Sequence, residues 1–197
     1  EQEARAASRE AARVKALTAT AEVRNGLRSF QTDLENGLND GTVDKSELDT
    51  KWTEASTKML DDAVSKVDPT HQELVRATLL DEVGSGQANV RKLAAARDKK
   101  DILTGGLSYF EQMQRFAATG GKEADQAIAN VKTFWTATGP MAGEDPAAAS
   151  ARVQMFAERV RTNQATSLVN ADPAAALKAL KNPGYLPELD PDKRTTL

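Results

Sequence analysis

Apolar residues in this chain recur at intervals of three and four, and no segment shows convincing alternation at an interval of two. The first spacing lays a stripe along a helix, whereas the second would build a strand, so the pattern predicts an all-α fold. Ala4, Ala7, Ala11 and Val14 lead into Val23, Leu27, Phe30 and Leu34, and the proline-free stretch 2–35 reads as one long amphipathic helix. After the turn "NGLNDGTVD", Leu48, Trp52, Ala55, Met59, Ala63 and Val67 form a second stripe. The turn is short, which predicts an antiparallel hairpin covering Leu27, Phe30, Leu34, Leu48, Trp52 and Met59.

A third stripe carries Leu79, Val83, Gly86, Val90 and Leu93. It reads as one helix through Gly84 and Gly86, with close packing or a kink at those glycines. Thr104, Gly105 and Gly106 are expected to break it. Shorter helices follow over 107–119, 122–138, 146–170 and 173–181, with capped stops at Gly120-Gly121 and Gly139-Pro140. The expected architecture is thus a long antiparallel hairpin, or coiled-coil-like helices, followed by a bundle of shorter ones. The long-helix region, hairpin plus third helix, spans 1–104 and the short-helix bundle 105–197, continuing past Leu197. A chain that opens on Glu1 rather than Met and stops just after a helix start reads as a piece of something larger.

Four of the seven prolines follow an aspartate, at Asp68, Asp145, Asp172 and Asp190. An aspartate accepts hydrogen bonds from the orphan N–H groups of a first helical turn, and proline suits the position where no N–H is needed. Each pair therefore predicts a helix start. Asp190 is expected to matter least, because its helix has little packing.

Composition supports elongated packing. Hydrophobic residues make up 40% of the chain but aromatics only 5%, and much of the apolar share is alanine, which offers little surface to bury. Narrow helical seams need fewer large side chains than a globular core. With 26 basic and 29 acidic residues interspersed along the chain, no strong polyelectrolyte partner is implied, and direct nucleic-acid binding should be weak or absent. The lack of cysteine excludes disulfides and thiolate sites. No apolar run approaches the roughly 18 residues of a membrane-spanning helix.

Few residues invite chemistry. Gly41, Val43 and Glu47 fit an EF-hand loop, as do Asp40 and Asp44, but Asn36 and Leu38 occupy ligand positions, and leucine cannot ligate. A capping box of Asp44 with Glu47, after a turn at Asn39-Asp40-Gly41, explains the same residues without metal. His71, the only histidine, has no relay partner and reads as a surface residue. "GSGQAN" lacks the lysine and third glycine of phosphate loops. Arg91, Lys92, Arg97, Lys99 and Lys100 form the densest basic cluster, diluted by Asp98 and Asp101; a solvated helix face accounts for it. No catalytic residue, cofactor site or metal site can be nominated. Large rings gather in the C-terminal half and are most simply its core. An exposed subset, taken as Trp135, Phe134, Phe156 and Tyr185, would instead anchor a partner.

The closing stretch "DPAAALKALKNPGYLPELDPDKRTTL" resembles a pattern in large virion proteins of tailed bacteriophages, in which an Asp-Pro helix, a Pro-Gly turn with an aromatic and an "LDP..R..L" helix follow long Ala-rich helices. The matching residues are Asp172, Pro173, Leu177, Leu180, Pro183, Tyr185, Leu189, Asp190, Pro191, Arg194 and Leu197. The resemblance implies an internal virion protein of the ejection type, which packs in the capsid and enters the host envelope with the DNA. Its partners would be itself and other virion proteins. Some such proteins carry a peptidoglycan-cleaving transglycosylase domain with a catalytic Glu followed by Ser; no Glu-Ser dipeptide occurs here. The leading expectation is a non-enzymatic assembly module. The competing one is a cytoplasmic helical adaptor or regulator that binds a partner through an exposed aromatic groove.

Overall fold

A computed structural model of the chain describes residues 2–196. Among these residues there are seven α-helices and no strand: α1 (Gln2–Asp40), α2 (Leu48–Ser65), α3 (Pro69–Ala117), α4 (Gly121–Thr138), α5 (Pro146–Ala171), α6 (Pro173–Leu180) and α7 (Pro191–Thr196). A 3-10 turn at Lys45–Glu47 leads into α2. The chain forms two compact units, Glu1–Arg97 and Asp98–Leu197.

The core of the first unit is built from Leu27, Leu34 and Leu38 of α1, Leu48, Trp52 and Leu60 of α2, and Val75, Leu79 and Val90 of α3. Phe30 stacks on Trp52 with ring centroids 6.3 Å apart. Of the six residues expected to be covered, four are buried, and Phe30 and Met59 are half-buried. The helix α1 outruns its expected end at residue 35, because continuing to Asp40 buries Leu38 beside Leu34. Reversal is left to Gly41, whose φ of +83° suits a residue without Cβ. The Asp40 carboxylate fixes the turn by accepting hydrogen bonds from Thr42 N (2.9 Å) and Thr42 Oγ1 (2.6 Å). The Asp44 carboxylate accepts from Ser46 N (2.8 Å) and so opens the 3-10 turn, while Glu47 pairs with Lys51 at 3.6 Å. This departs from the expected capping box: the cap falls on the 3-10 turn, and α2 starts only at Leu48.

In the second unit the core gathers Phe110 of α3, Val131 and Trp135 of α4, and Phe156 and Val160 of α5. Phe110 meets Trp135 and Phe156 edge-on, at 5.3 and 5.4 Å between centroids, a geometry that sets the positive edge of one ring against the negative face of another. A smaller cluster of Ala165, Leu180, Leu186 and Leu189 seats the end of the chain on α5.

The expected break at Thr104, Gly105 and Gly106 does not occur; α3 runs from Pro69 to Ala117. The reason is packing. A Cβ on Gly106 would lie 2.1 Å from the Trp135 ring, and one on Gly86 would lie 2.0 Å from the Trp52 ring. Both glycines are flat sockets in a continuous helix, each receiving one of the chain's two tryptophans. Gly84 and Gly105 beside them are exposed, with open space where a Cβ would go. The stop at Gly139 falls where expected, since α4 ends at Thr138, but its cap is not the left-handed kind. Gly139 keeps helical dihedrals, and the left-handed residue is Gly143, φ +86°.

The Asp-Pro steps behave as helix starts. The carboxylates of Asp145 and Asp172 accept from Ala148 N (2.8 Å) and Ala175 N (3.0 Å), and Asp190 accepts from Asp192 N (2.8 Å) and Lys193 N (3.3 Å). At Asp68 the acceptor bonds run to Thr70 N and Oγ1 instead. Contrary to the expectation of little packing, α7 is anchored: Lys193 pairs with Glu158 of α5 at 2.5 Å, and the Arg194 guanidinium donates to the carbonyls of Asn182, Pro183 and Leu186. That clamp closes over Leu186, a non-glycine residue at φ +53°.

Candidate functional site

Within the second unit, α5 turns its Asn163, Gln164 and Ser167 toward the end of α3 and the start of α4. Tyr185, from the turn held by Arg194, completes a groove of about 390 Å3. Ala117, Ala118, Gly120 and Gly121 make its floor, Val160 and Leu168 contribute apolar surface, and Gln114 stands at one side. The small floor residues leave the space open, and among the described residues no ionisable side chain apart from the tyrosine phenol lines it.

Arg161 positions this site from behind. Its side chain is only 8% exposed, yet it reaches Asp125 of α4 (2.7 Å), Glu188 (2.8 Å) and the Gln164 amide oxygen (3.0 Å). Burial opposes its charge, but the carboxylates of Glu188 and Asp125 outweigh that and raise its pKa above the usual arginine value. A second, half-buried arrangement supports Trp135, whose Nε1 donates to Glu144 Oε2 at 2.7 Å. Arg152 donates through Nε to Glu144 Oε1, also at 2.7 Å, and lies 5.6 Å from the Trp135 ring centroid. The hydrogen bond from Arg152 holds the Glu144 carboxyl below its usual pKa, with Trp135 adding to the effect against desolvation.

The four aromatic residues expected to face a partner do not share a surface. Trp135 and Phe156 are core residues, excluded from contact because their rings pack with Phe110; Phe134 is half-buried against Tyr109, at 4.4 Å between centroids. Only Tyr185, 38% exposed, lies open in a groove. The EF-hand positions are not gathered either: Asn36 and Leu38 lie within α1, and the Asp40 and Asp44 carboxylates turn back onto Thr42 and Ser46. His71 is half-buried rather than solvated, its Nδ1 3.0 Å from Thr70 Oγ1. In the basic cluster, Arg91 is engaged by Asp49 at 3.1 Å. Arg161, Gln164 and Glu144 are not legible in the sequence, since a polar residue flanking an apolar stripe looks the same whether it points to water or to a partner on another element.

The fold and groove define an all-α protein with a neutral, open groove in its second unit. No family profile, curated protein or solved structure matches the chain. Among the described residues, no helix is long and apolar enough to cross a membrane.

Proposed function

We propose that the chain is a non-enzymatic helical assembly module of a tailed-phage virion, an internal protein of the ejection type that self-associates and enters the host envelope with the DNA. The observation that carries the assembly part is the start of α1. Residues 2–11 are exposed throughout, and beyond them Val14 and Leu17 are 52% and 62% exposed on a helix whose first buried residue is Ala16. An apolar stripe that its own unit leaves uncovered is suited to a helix of another molecule. We also infer an antiparallel pairing of α1 with α2. Gly26 faces Met59 while Phe30 stacks on Trp52, so numbers rise along one helix as they fall along the other.

The virion part rests on the closing motif. Its Asp172, Asp190 and Arg194 each have a definite task, as two caps and a clamp, which is what a repeated structural pattern requires. The adaptor alternative loses most of its support with the burial of Trp135 and Phe156. Static light scattering over a range of concentrations tests self-association: mass should rise with concentration, and a Val14→Asp, Leu17→Asp variant should stay monomeric. A wild-type chain that remains monomeric throughout would refute the assembly reading. Detection of the chain in purified phage particles, and its loss from them after DNA release, tests the virion reading separately.

A further inference from the structure

We propose that the groove beside Tyr185 is a binding site for a neutral, polyhydroxylated ligand, a short saccharide. The argument starts from unused hydrogen-bonding capacity and is independent of the assembly reading. Gln114, Asn163, Ser167 and Tyr185 all line the groove, and among the described residues the side-chain hydrogen bonds that organise the unit run through others, such as Gln126 with Asn130, Arg161 with Glu188 and Thr162 with the Glu158 carbonyl. Gln164 is partnered on one side only. Arg161 donates to its amide oxygen, which fixes the amide orientation and leaves its NH2 group as a donor for the groove.

Charge selects the ligand class. The start of α4 has no side-chain cap, so its first N–H groups remain donors. Such a terminus ordinarily favours an anion. Here the Glu123 carboxylate lies against Gly120, with Oε2 2.9 Å from where a Cβ would stand, so negative charge already occupies that end. An anionic ligand would be repelled, and a cation would find no carboxylate in the lining. What remains is a neutral molecule carrying both hydroxyl donors and oxygen acceptors. An exposed tyrosine ring supplies a face for the apolar side of a sugar, and paired amides suit vicinal hydroxyls. The volume of about 390 Å3 lies in the range of small-ligand sites, roughly 300–1,000 Å3. A peptide fits less well, because the floor of alanine and glycine offers no deep apolar pocket for an anchoring side chain.

The test is a titration of the full 15N-labelled chain with maltotriose, cellotriose and triacetylchitotriose, following the side-chain NH2 signals of Gln114, Asn163 and Gln164. At least one of these neutral sugars should shift those signals saturably, and trigalacturonate should not. Asn163→Ala should weaken binding about threefold to tenfold, the scale of one lost hydrogen bond. Tyr185→Ala should weaken it at least as much, and Tyr185→Phe, which keeps the ring and the turn, should weaken it less. The proposal is overturned if no sugar moves these signals, if the shifts survive both alanine variants in a folded protein, or if a neutral peptide of similar size binds more tightly than every sugar.

Discussion

At the scale of single residues, the caps and the half-buried Glu144 make the sharpest claims. Asp145→Ala and Asp172→Ala should each cost on the order of 1 kcal/mol, the usual scale for a lost N-cap, read as a drop in the denaturation midpoint. Asp190→Ala should cost a comparable amount, because its carboxylate serves two N–H groups of a helix that Arg194 and Lys193 fasten to the unit. An effect within error at Asp190 would mean that α7 is not held in solution. Glu144 gives a pH signature. Its folded-state pKa lies below the ordinary glutamate value of 4.5, so the unfolded chain takes up the proton first as pH falls. Its contribution is therefore complete above about pH 4.5 and declines below that, down through the folded pKa. Fluorescence melts in a Trp52→Phe background, which leaves Trp135 as the only emitter, should show this acid-side loss, and Glu144→Gln in the same background should be less stable at neutral pH and flatter below it.

At the scale of elements, α3 tests whether glycine marks a break or a contact. Gly86→Ala and Gly106→Ala should be destabilising by about 1–3 kcal/mol or more, since each new methyl group meets a tryptophan ring with nowhere to move. Gly84→Ala and Gly105→Ala, in the same helix but facing open space, should stabilise by about 0.5–1 kcal/mol through helix propensity. Four single-variant thermal melts decide the matter. Four changes of the same sign would contradict the socket assignment. The sequence shows G-x-G and G-G but not which glycine of each pair faces inward, because that depends on where the tryptophans of other helices arrive.

At the scale of the whole molecule, the exposed start of α1 and its buried remainder should differ in amide exchange. Amides in residues 3–11 should exchange faster than those in 19–38, since the described residues of the unit leave them exposed. Protection of that first stretch should rise with protein concentration if a second copy covers it. A protection pattern independent of concentration would detach the stripe of Ala4, Ala7, Ala11 and Val14 from assembly and leave it a solvated helix.

The sequence by itself determined the helical class, because a spacing of three and four can bury a stripe only on a helix, and it determined the helix starts, because an Asp-Pro cap acts within a single turn. Such effects are local, and local chemistry is written in neighbouring letters. Only the tertiary structure decided that α3 passes uninterrupted through Gly105 and Gly106, that Trp135 and Phe156 are core while Tyr185 is open, and that Arg161 holds Gln164 at the edge of a groove. Each of these depends on a residue distant in sequence: a tryptophan some 30 positions away for each glycine socket, or Glu188 and Asp125 for the arginine. A backbone break costs the same whether or not a ring fills the space beside it, so it is the packing of that ring, absent from any local pattern, that keeps the helix whole.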